Sequence, residues 1–307
     1  MKKVSVLVPV YNVSAYLERF LGSLWAQTFK DVEYIFMDDC STDNSYALLS
    51  DEISKVDFDC KLLQHEKNRG LAQTRDDLLR AATGEFVTCI DSDDWLEPDY
   101  LEKLVAASDG YDIVQCGYFE ELKDKQIVHK GWAIPEYDKL LHDSIAVKLE
   151  SFVWFKLIRR SLINDYHWKP GANQGEDYLT TLWLYAHTTK INSIPDPLYH
   201  YNCQNMTSIT KTNTYKNFVI LFDEAEQLML REGLLPKYED AFNQRVFMFK
   251  KDLILRKDPN WEIFRTYRPN VNYIYERVRM GKLDKMIFKQ LSKNNILIAK
   301  FLHLLKK

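Results

Sequence analysis

The chain has 307 residues, enough to bury a sizeable core in one large domain with additions. Its hydrophobic fraction of 46% and mean hydropathy of −0.36 describe a globular protein, and no stretch has the apolar length that spans a bilayer. A net charge of −3 makes no case for nucleic-acid binding.

Met1-Lys2-Lys3-Val4 enters a strand at once, with no signal-peptide h-region. A β-branched run over 3–10 closes at Tyr11-Asn12. Ser14 is then expected to cap a helix, with Tyr16, Leu17, Phe20, Leu21 and Leu24 at helical spacing. A second strand over 32–37 ends at Asp38-Asp39, and Ser41 or Asp43 caps the next helix through Tyr46, Leu48, Leu49 and Ile53. A short third strand over 60–63 opens into the polar loop 65–70. The helix over 71–82 stops at Thr83-Gly84. The fourth strand is 85–90, and 95–100 turns into a helix. This alternation predicts right-handed βαβ units and a mainly parallel sheet.

Beyond a helix at 101–107 and a strand at 111–118 the alternation breaks. An antiparallel strand is expected within 119–128, a helix at 136–149, an amphipathic stretch at 154–164, a helix at 176–186 and a strand at 198–202. From about Thr212 the chain reads as helices over 214–232, 236–256, 259–280 and 282–305. The five cysteines (Cys40, Cys60, Cys89, Cys116, Cys203) are scattered without a C-x-x-C pair. Buried reduced thiols and a cytoplasmic location are therefore expected.

Asp91-Ser92-Asp93-Asp94 puts three carboxylates at the C-terminal end of an apolar strand. Such crowding is costly unless a cation sits there, and a hard divalent ion carrying phosphate oxygens suits it. Ligands of open α/β sheets bind at that end of the strands. The plainer reading is a surface turn with an Asp N-cap. Asp38 and Asp39 end a second strand. With the basic residues Lys67, Arg69 and Arg75 they would make a crevice suited to a nucleotide diphosphate. An Asp can accept from a base N–H or ribose hydroxyls, and an Arg can stack on or clamp the nucleotide. No G-x-G-x-x-G follows the first strand, and no P-loop is present.

Val8-Pro9-Val10-Tyr11-Asn12, Met37-Asp38-Asp39-Cys40-Ser41-Thr42-Asp43, Asn68-Arg69-Gly70-Leu71-Ala72-Gln73-Thr74-Arg75 and Asp91-Ser92-Asp93-Asp94 occur in that order over 4–100. The set resembles the nucleotide-binding half of the family 2 glycosyltransferases, which have the GT-A fold. Val153-Trp154-Phe155-Lys156-Leu157 resembles the family's acceptor-side W-x-K-L. Gly175-Glu176-Asp177-Tyr178 resembles its G-E-D catalytic motif. Leu198-Tyr199-His200-Tyr201 through Thr207-Ser208-Ile209-Thr210 resembles its tyrosine-rich strand and small-residue loop. The resemblance implies an α/β GT-A, Rossmann-like, mainly parallel sheet flanked by helices, with a mostly helical C-terminal extension. It divides the chain into a GT-A domain at 1–210, with a nucleotide-sugar half at 1–110 and an acceptor half at 111–210, and an extension at 211–307.

By position, the resemblance implies that Asp39, beside Asp38, holds the base edge, that Pro9 and Tyr11 line the nucleotide pocket and that Arg75 reaches over the base. Asp91 and Ser92 would sit near the ribose and donor sugar. Asp93 would bind Mn²⁺ or Mg²⁺, with His200 as a further candidate ligand. Asp177 would be the general base and Glu176 would shape the acceptor site. Trp154 is a candidate acceptor platform and Lys156 a candidate diphosphate contact. Plainer roles compete: first-turn acids for Glu176 and Asp177, a helix-surface charge for Arg75, a structural ring for His200, core packing for Trp154 and a helix cap for Lys156. Three positions depart from the pattern. Cys40 replaces a usual Gly, so its turn must avoid positive φ or bear strain. Asp76 stands where Asn is common, and Phe155 where a polar residue is.

The activity implied is a metal-dependent, inverting glycosyl transfer from a nucleotide-diphosphate sugar, most often a UDP-sugar. The acceptor would be a saccharide or lipid-linked saccharide, in surface-polysaccharide synthesis. Two alternatives stay open. A sugar nucleotidyltransferase wants a Gly-rich loop after the first strand, where Tyr11-Asn12-Val13 stands. A non-catalytic sugar-nucleotide-binding scaffold would not need Asp93 and Asp177. Residues 277–307 interleave basic and apolar side chains, which suits either peripheral contact with an anionic membrane or a docked, dimer-forming helix.

Overall fold

The computed structural model describes residues 2–146, 148–169, 175–205, 215–255 and 259–305. It divides into two compact units, Met1–Leu140 with Ser151–Asn217, and Leu141–Glu150 with Phe218–Lys307.

The first unit runs β1 (Val4–Val10), α1 (Leu17–Trp25), β2 (Val32–Asp38), α2 (Ser45–Ser54), β3 (Asp59–Gln64), α3 (Leu71–Ala81), β4 (Phe86–Cys89), β5 (Trp95–Leu96), α4 (Tyr100–Ala106), β6 (Ile113–Glu121) and β7 (Gln126–His129). Then come α5 (Tyr137–Ile145), whose last turn counts with the second unit, β8 (Lys156–Arg159), α6 (Arg160–Ile163), α7 (Glu176–His187) and β9 (Ile191–Asn202). Among the described residues the strands form one sheet in the order β3-β2-β1-β4-β8-β6-β9-β5, with β7 beside β6. β1 is parallel to β2 and β4, and β2 to β3. β8 runs antiparallel between β4 and β6. Every residue of β1 and β2 is buried, which is why both read as near-continuous apolar runs. Val10 pairs with Asp38 and Leu7 with Cys89, so the acidic ends of β2 and β4 emerge at one edge on either side of Tyr11.

Glu33 interrupts the apolar run within β2, a carboxylate with 1% exposure. It accepts from Ser5 Oγ at 2.6 Å, from the Thr83 backbone N–H at 2.7 Å and from Lys61 Nζ at 2.8 Å. Burial alone would raise its carboxyl, but Lys61, Ser5 and Thr83 outweigh that and hold it at about 2.

Several elements differ from the sequence reading. The helix α1 begins at Leu17 with Tyr16 at its N-cap, and Ser14 lies before it. Trp95 and Leu96 form a short strand on β9 before the helix at Tyr100. The 119–128 stretch is a hairpin of β6 and β7. The 154–164 stretch is a strand followed by one helical turn.

The second unit contains α8 (Tyr215–Arg231) from Phe218 onward, α9 (Leu235–Leu255), α10 (Trp261–Thr266), a 3₁₀ helix (Pro269–Glu276), α11 (Lys282–Ser292) and α12 (Ile296–Leu304). The continuous helix expected over 259–280 breaks because Pro269 lacks an N–H and disfavours helical backbone before it; Arg268 turns to φ +42°. The helix expected over 282–305 breaks at Asn294, φ +60°. No helix among the described residues is long and apolar enough to cross a membrane.

Candidate active site

Two glycines begin the two helices that build the site. Gly70, φ +82°, precedes α3, and Gly175, φ +79°, precedes α7. A side chain at either position would strain the turn. The inward face of α3 carries Ala72, Arg75, Leu78 and Leu79, so Arg75 is swept into the interior at 1% exposure. The first turn of α7 carries Glu176 and Asp177.

These elements converge on one guanidinium. Arg75 Nη1 donates to Glu176 Oε1 and to Asp177 Oδ1, both at 2.6 Å, and Nη2 donates to Asp91 Oδ1 at 2.9 Å. Burial works against the charge on Arg75, but the three carboxylates outweigh it and hold the proton on more tightly than usual. Three carboxylates share one cation, so negative charge remains in excess. Burial first, and Asp177 beside it, push the Glu176 carboxyl up; burial first, and Asp91 near it, push the Asp177 carboxyl up despite Arg75.

The acidic end of β4 is held from β9. Tyr199 Oη donates to Asp94 Oδ2 at 2.6 Å, and the Asn202 backbone N–H to Asp94 Oδ1 at 2.7 Å. Asp94 is thereby a buried structural anchor, its carboxyl raised by burial and by Asp93 and Asp91. Asp93 accepts from Asn205 Nδ2 at 2.7 Å. Ser92, a sequence candidate for donor contact, is buried and donates from Oγ to the Pro9 carbonyl, tying β4 to β1.

At the end of β2, Asp39 is buried. Its Oδ1 accepts from the Arg69 backbone N–H at 2.7 Å and faces His65 Nδ1, and its Oδ2 accepts from the Gly70 N–H at 2.8 Å. Asp39 thus pins the loop before α3. Asp38 Oδ2 accepts from the Ser41 N–H and from Gln64 Nε2, while its Oδ1 is buried without a partner. Cys40 adopts φ +60°, so the turn bears the strain that a Gly would have avoided. Tyr11 is 46% exposed beside these ends, and Pro9 is buried within β1.

Four sequence candidates are placed differently from expectation. Arg75 does not reach over a base; its place on the inward face of α3 commits both terminal nitrogens to carboxylates. His200 is not free to ligate a metal. Nδ1 meets Glu121 at 2.8 Å, Nε2 meets Glu97 at 2.9 Å, and the ring is stacked between Trp95 and Phe119. Trp154 is 2% exposed and stacks on Tyr199 at 4.3 Å, so it is a core ring rather than an open sugar platform. Lys156 is fully buried, donates to the Phe152 carbonyl and lies 3.8 Å over the Phe155 ring, which keeps it from a diphosphate. The small-residue loop at 207–210 lies outside the described residues.

Residues without a motif complete the surroundings. Arg19, on α1, lies 3.5 Å over the Trp95 ring. With Ala15, Tyr16, Asn202 and Gln204 it lines a cavity of about 310 Å³. Tyr16 Oη donates to Asn205 Oδ1, the residue that holds Asp93. The sequence marks Asn202 only as the end of a tyrosine-rich strand, and marks Arg19 not at all.

The residues fit a divalent cation held partly by its substrate. Among the described residues, no three His, Cys, Asp or Glu side chains converge to hold a metal by themselves. Yet burial and the neighbouring Asp91 raise the Asp93 carboxyl, Arg19 offsets this only in part, and its side-chain partner Asn205 is a neutral amide. A cation would relieve that excess charge. Magnesium-type sites on phosphate substrates use one or two carboxylates together with phosphate oxygens.

The family description "Glycosyl transferase family 2" matches residues 5–167. The chain is 34% identical over 270 residues to "Putative glycosyltransferase EpsH" of Bacillus subtilis (strain 168), covering 83% of this chain and 77% of that protein. It is 29% identical over 286 residues to the poly(ribitol-phosphate) beta-N-acetylglucosaminyltransferase TarS of Staphylococcus aureus (strain Mu50 / ATCC 700699). That match covers 85% of this chain and 48% of TarS, so the chain spans about half of that relative. The crystal structure of S. aureus TarS 1–349 in complex with UDP-GlcNAc has a TM-score of 0.66 and 19% identity, over 98% of this chain and 90% of that one. The mannosyltransferase PcManGT from Pyrobaculum calidifontis, in complex with GDP-Man and Mn²⁺, has a TM-score of 0.56 and 16% identity, over 100% of this chain and 88% of that one. Both structural likenesses are likenesses of fold, the GT-A fold expected from the motifs.

Proposed function

The chain belongs to glycosyl transferase family 2, and on that premise we propose that it moves a sugar, with inversion, from a UDP-sugar to a saccharide or lipid-linked saccharide in polysaccharide synthesis. One observation carries this reading. Arg75 gathers Asp91, from the end of β4, and Glu176 and Asp177, from the start of α7, into one cluster. The donor end and the acceptor-side acids are thereby brought within a few ångströms.

In this reading the acceptor hydroxyl attacks the anomeric carbon. A carbon–oxygen bond to the acceptor forms as the bond to the diphosphate oxygen breaks, and UDP departs with the electron pair. Asp177, partly exposed beside buried Glu176, takes the hydroxyl proton. A carboxyl raised above its ordinary range by burial is a stronger base, which suits that task. Arg75 holds the carboxylate in place and orients it. Asp93, with Asp91 beside it, would hold Mn²⁺ or Mg²⁺, whose bound charge stabilises the departing diphosphate. Tyr11 would face the base, with Asp38 and Asp39 setting the walls around it. The name of TarS and its complex with UDP-GlcNAc support a uridine donor, and the complex of PcManGT supports a metal. The five free cysteines suit a reducing compartment, so we place the reaction in the cytoplasm.

The test is a calorimetric titration of UDP, GDP and CDP with and without Mn²⁺, repeated on Asp93→Ala. Metal-dependent binding of UDP, lost in the variant, is the expected result. Failure of every nucleotide to bind would overturn the reading and favour a scaffold.

A further inference from the structure

We propose that the α11–α12 pair of the second unit docks the protein onto an anionic lipid surface. α11 is a packed helix on one side only. Ile287, Phe288 and Leu291 are buried, and the Phe288 ring lies 5.4 Å from Phe247 and 5.5 Å from Phe264. Its other side presents Lys282, Lys285 and Lys289 at helical spacing, with Lys293 following, all exposed, and Met286 among them at 51% exposure. α12 buries Ala299 and His303 and leaves Leu297, Ile298, Phe301, Leu304 and Leu305 at 49–82% exposure. Leu297, Phe301, Leu304 and Leu305 recur at helical spacing and form one uncovered stripe.

Charge identifies the occupant. Residues 277–307 hold nine of the chain's 41 Lys and Arg but one of its 44 Asp and Glu. Among the described residues, Lys282, Lys285, Lys289, Lys293 and Lys300 have no ion-pair partner. An uncovered apolar stripe beside unpaired ammonium groups is the complement of a bilayer surface with anionic headgroups. The acyl boundary takes the Leu and Phe side chains, and the headgroups take the lysines. A second copy of this chain would instead bring its own lysines against these. The rest of the chain is strongly acidic, so attraction to such a surface must be local to this pair. The proposal deepens the proposed function by favouring a lipid-linked acceptor, but the binding itself does not depend on catalysis.

The experiment is co-sedimentation of the full chain with vesicles of phosphatidylcholine alone, or mixed equally with phosphatidylglycerol. The wild type is expected to bind the mixed vesicles, with binding weakened about tenfold or more in neutral vesicles or high salt. The double variant Leu297→Glu/Phe301→Glu is expected to lose vesicle binding with its unfolding midpoint unchanged, because both side chains are exposed. Wild-type protein that stays in solution with anionic vesicles, or a double variant that binds as well as wild type, would overturn the proposal. Self-association abolished by the double variant, without vesicle binding, would assign the face to a second copy instead.

Discussion

Arg75 Nη1 and Asp177 Oδ1 are joined by a 2.6 Å hydrogen bond although 102 positions separate them in the chain. The bond fixes the first turn of α7 against α3 and holds the carboxylate that the proposed mechanism uses as base. Asp177→Asn keeps the shape and the hydrogen bond to Arg75 but cannot accept a proton. Transfer should fall about 10²–10⁴-fold while UDP binding by calorimetry stays near wild type. A variant that transfers at the wild-type rate would exclude Asp177 as the base.

The acid motifs and the first four strands were legible because both follow local rules. A strand buried on both faces must be apolar, and a ligand-facing strand end has to carry its chemistry in the next few residues. The fate of Arg75 was also written in the chain, as an Arg at the same helical period as Ala72, Leu78 and Leu79. A motif reading assigns it to a ligand because nothing local shows that Glu176 and Asp177, about a hundred positions later, will meet it. Trp154 and His200 show the same limit. Each residue type suits a ligand site, and only the cross-sheet packing with Tyr199, Trp95 and Phe119 shows that their faces are covered. The breaks at Arg268 and Asn294 are different, since Pro269 was visible while a left-handed Asn leaves no strong local mark.

Glu176→Gln tests the order in which the two acids ionise. In the wild type, Glu176 and Asp177 compete for the same Nη1 of Arg75. Burial first, and Asp177 beside it, push the Glu176 carboxyl up to about 8, so it still carries its proton where Asp177 ionises, and the amide keeps that neutral form. The base is active when ionised, so activity rises with pH through the Asp177 ionisation. The ascending limb of kcat/KM should therefore stay in place in the variant. A limb that moves to lower pH would mean that Glu176 is already ionised when Asp177 titrates.

Arg75→Met leaves Asp91, Glu176 and Asp177 together without their cation. Removing one partner of a buried ion pair costs about 3–5 kcal/mol. The sign with pH follows from the carboxyls. The carboxyls of Glu176 and Asp177, already raised, are raised further in the variant, so protonation relieves the repulsion at low pH and the relief is lost as pH rises. Urea unfolding should show a larger deficit against wild type at pH 8 than at pH 5. An equal deficit at both would mean that lost packing, not charge, dominates.

Cys40→Gly tests the strained turn at the end of β2. A non-glycine residue at φ +60° costs about 1–2 kcal/mol, and glycine gives back about 0.5–1 kcal/mol through its freer unfolded state. The net gain should lie between zero and about 1.5 kcal/mol, visible as a higher urea midpoint. A lower midpoint would mean that the thiol contributes more than the turn costs.

Glu33 lies far from the cluster and controls acid stability of the sheet. Its carboxyl is held at about 2, below its unfolded value, chiefly against burial by Lys61, Ser5 and Thr83. A depressed folded pKa contributes stability that is present above the unfolded value near 4.3 and is lost as pH falls through the folded one. Glu33→Gln should lower stability by about 3 kcal/mol at pH 7, with the difference from wild type shrinking as pH drops from about 4.5 toward 2. The amide can still accept from one or two of the donors, which sets that figure as an upper bound. Because Glu33 reaches β1 through Ser5, β3 through Lys61 and the turn before β4 through Thr83, the loss should appear in the global unfolding transition. Unfolding curves that differ by the same amount at pH 7 and pH 3 would show that the ionised carboxylate is not what joins these strands.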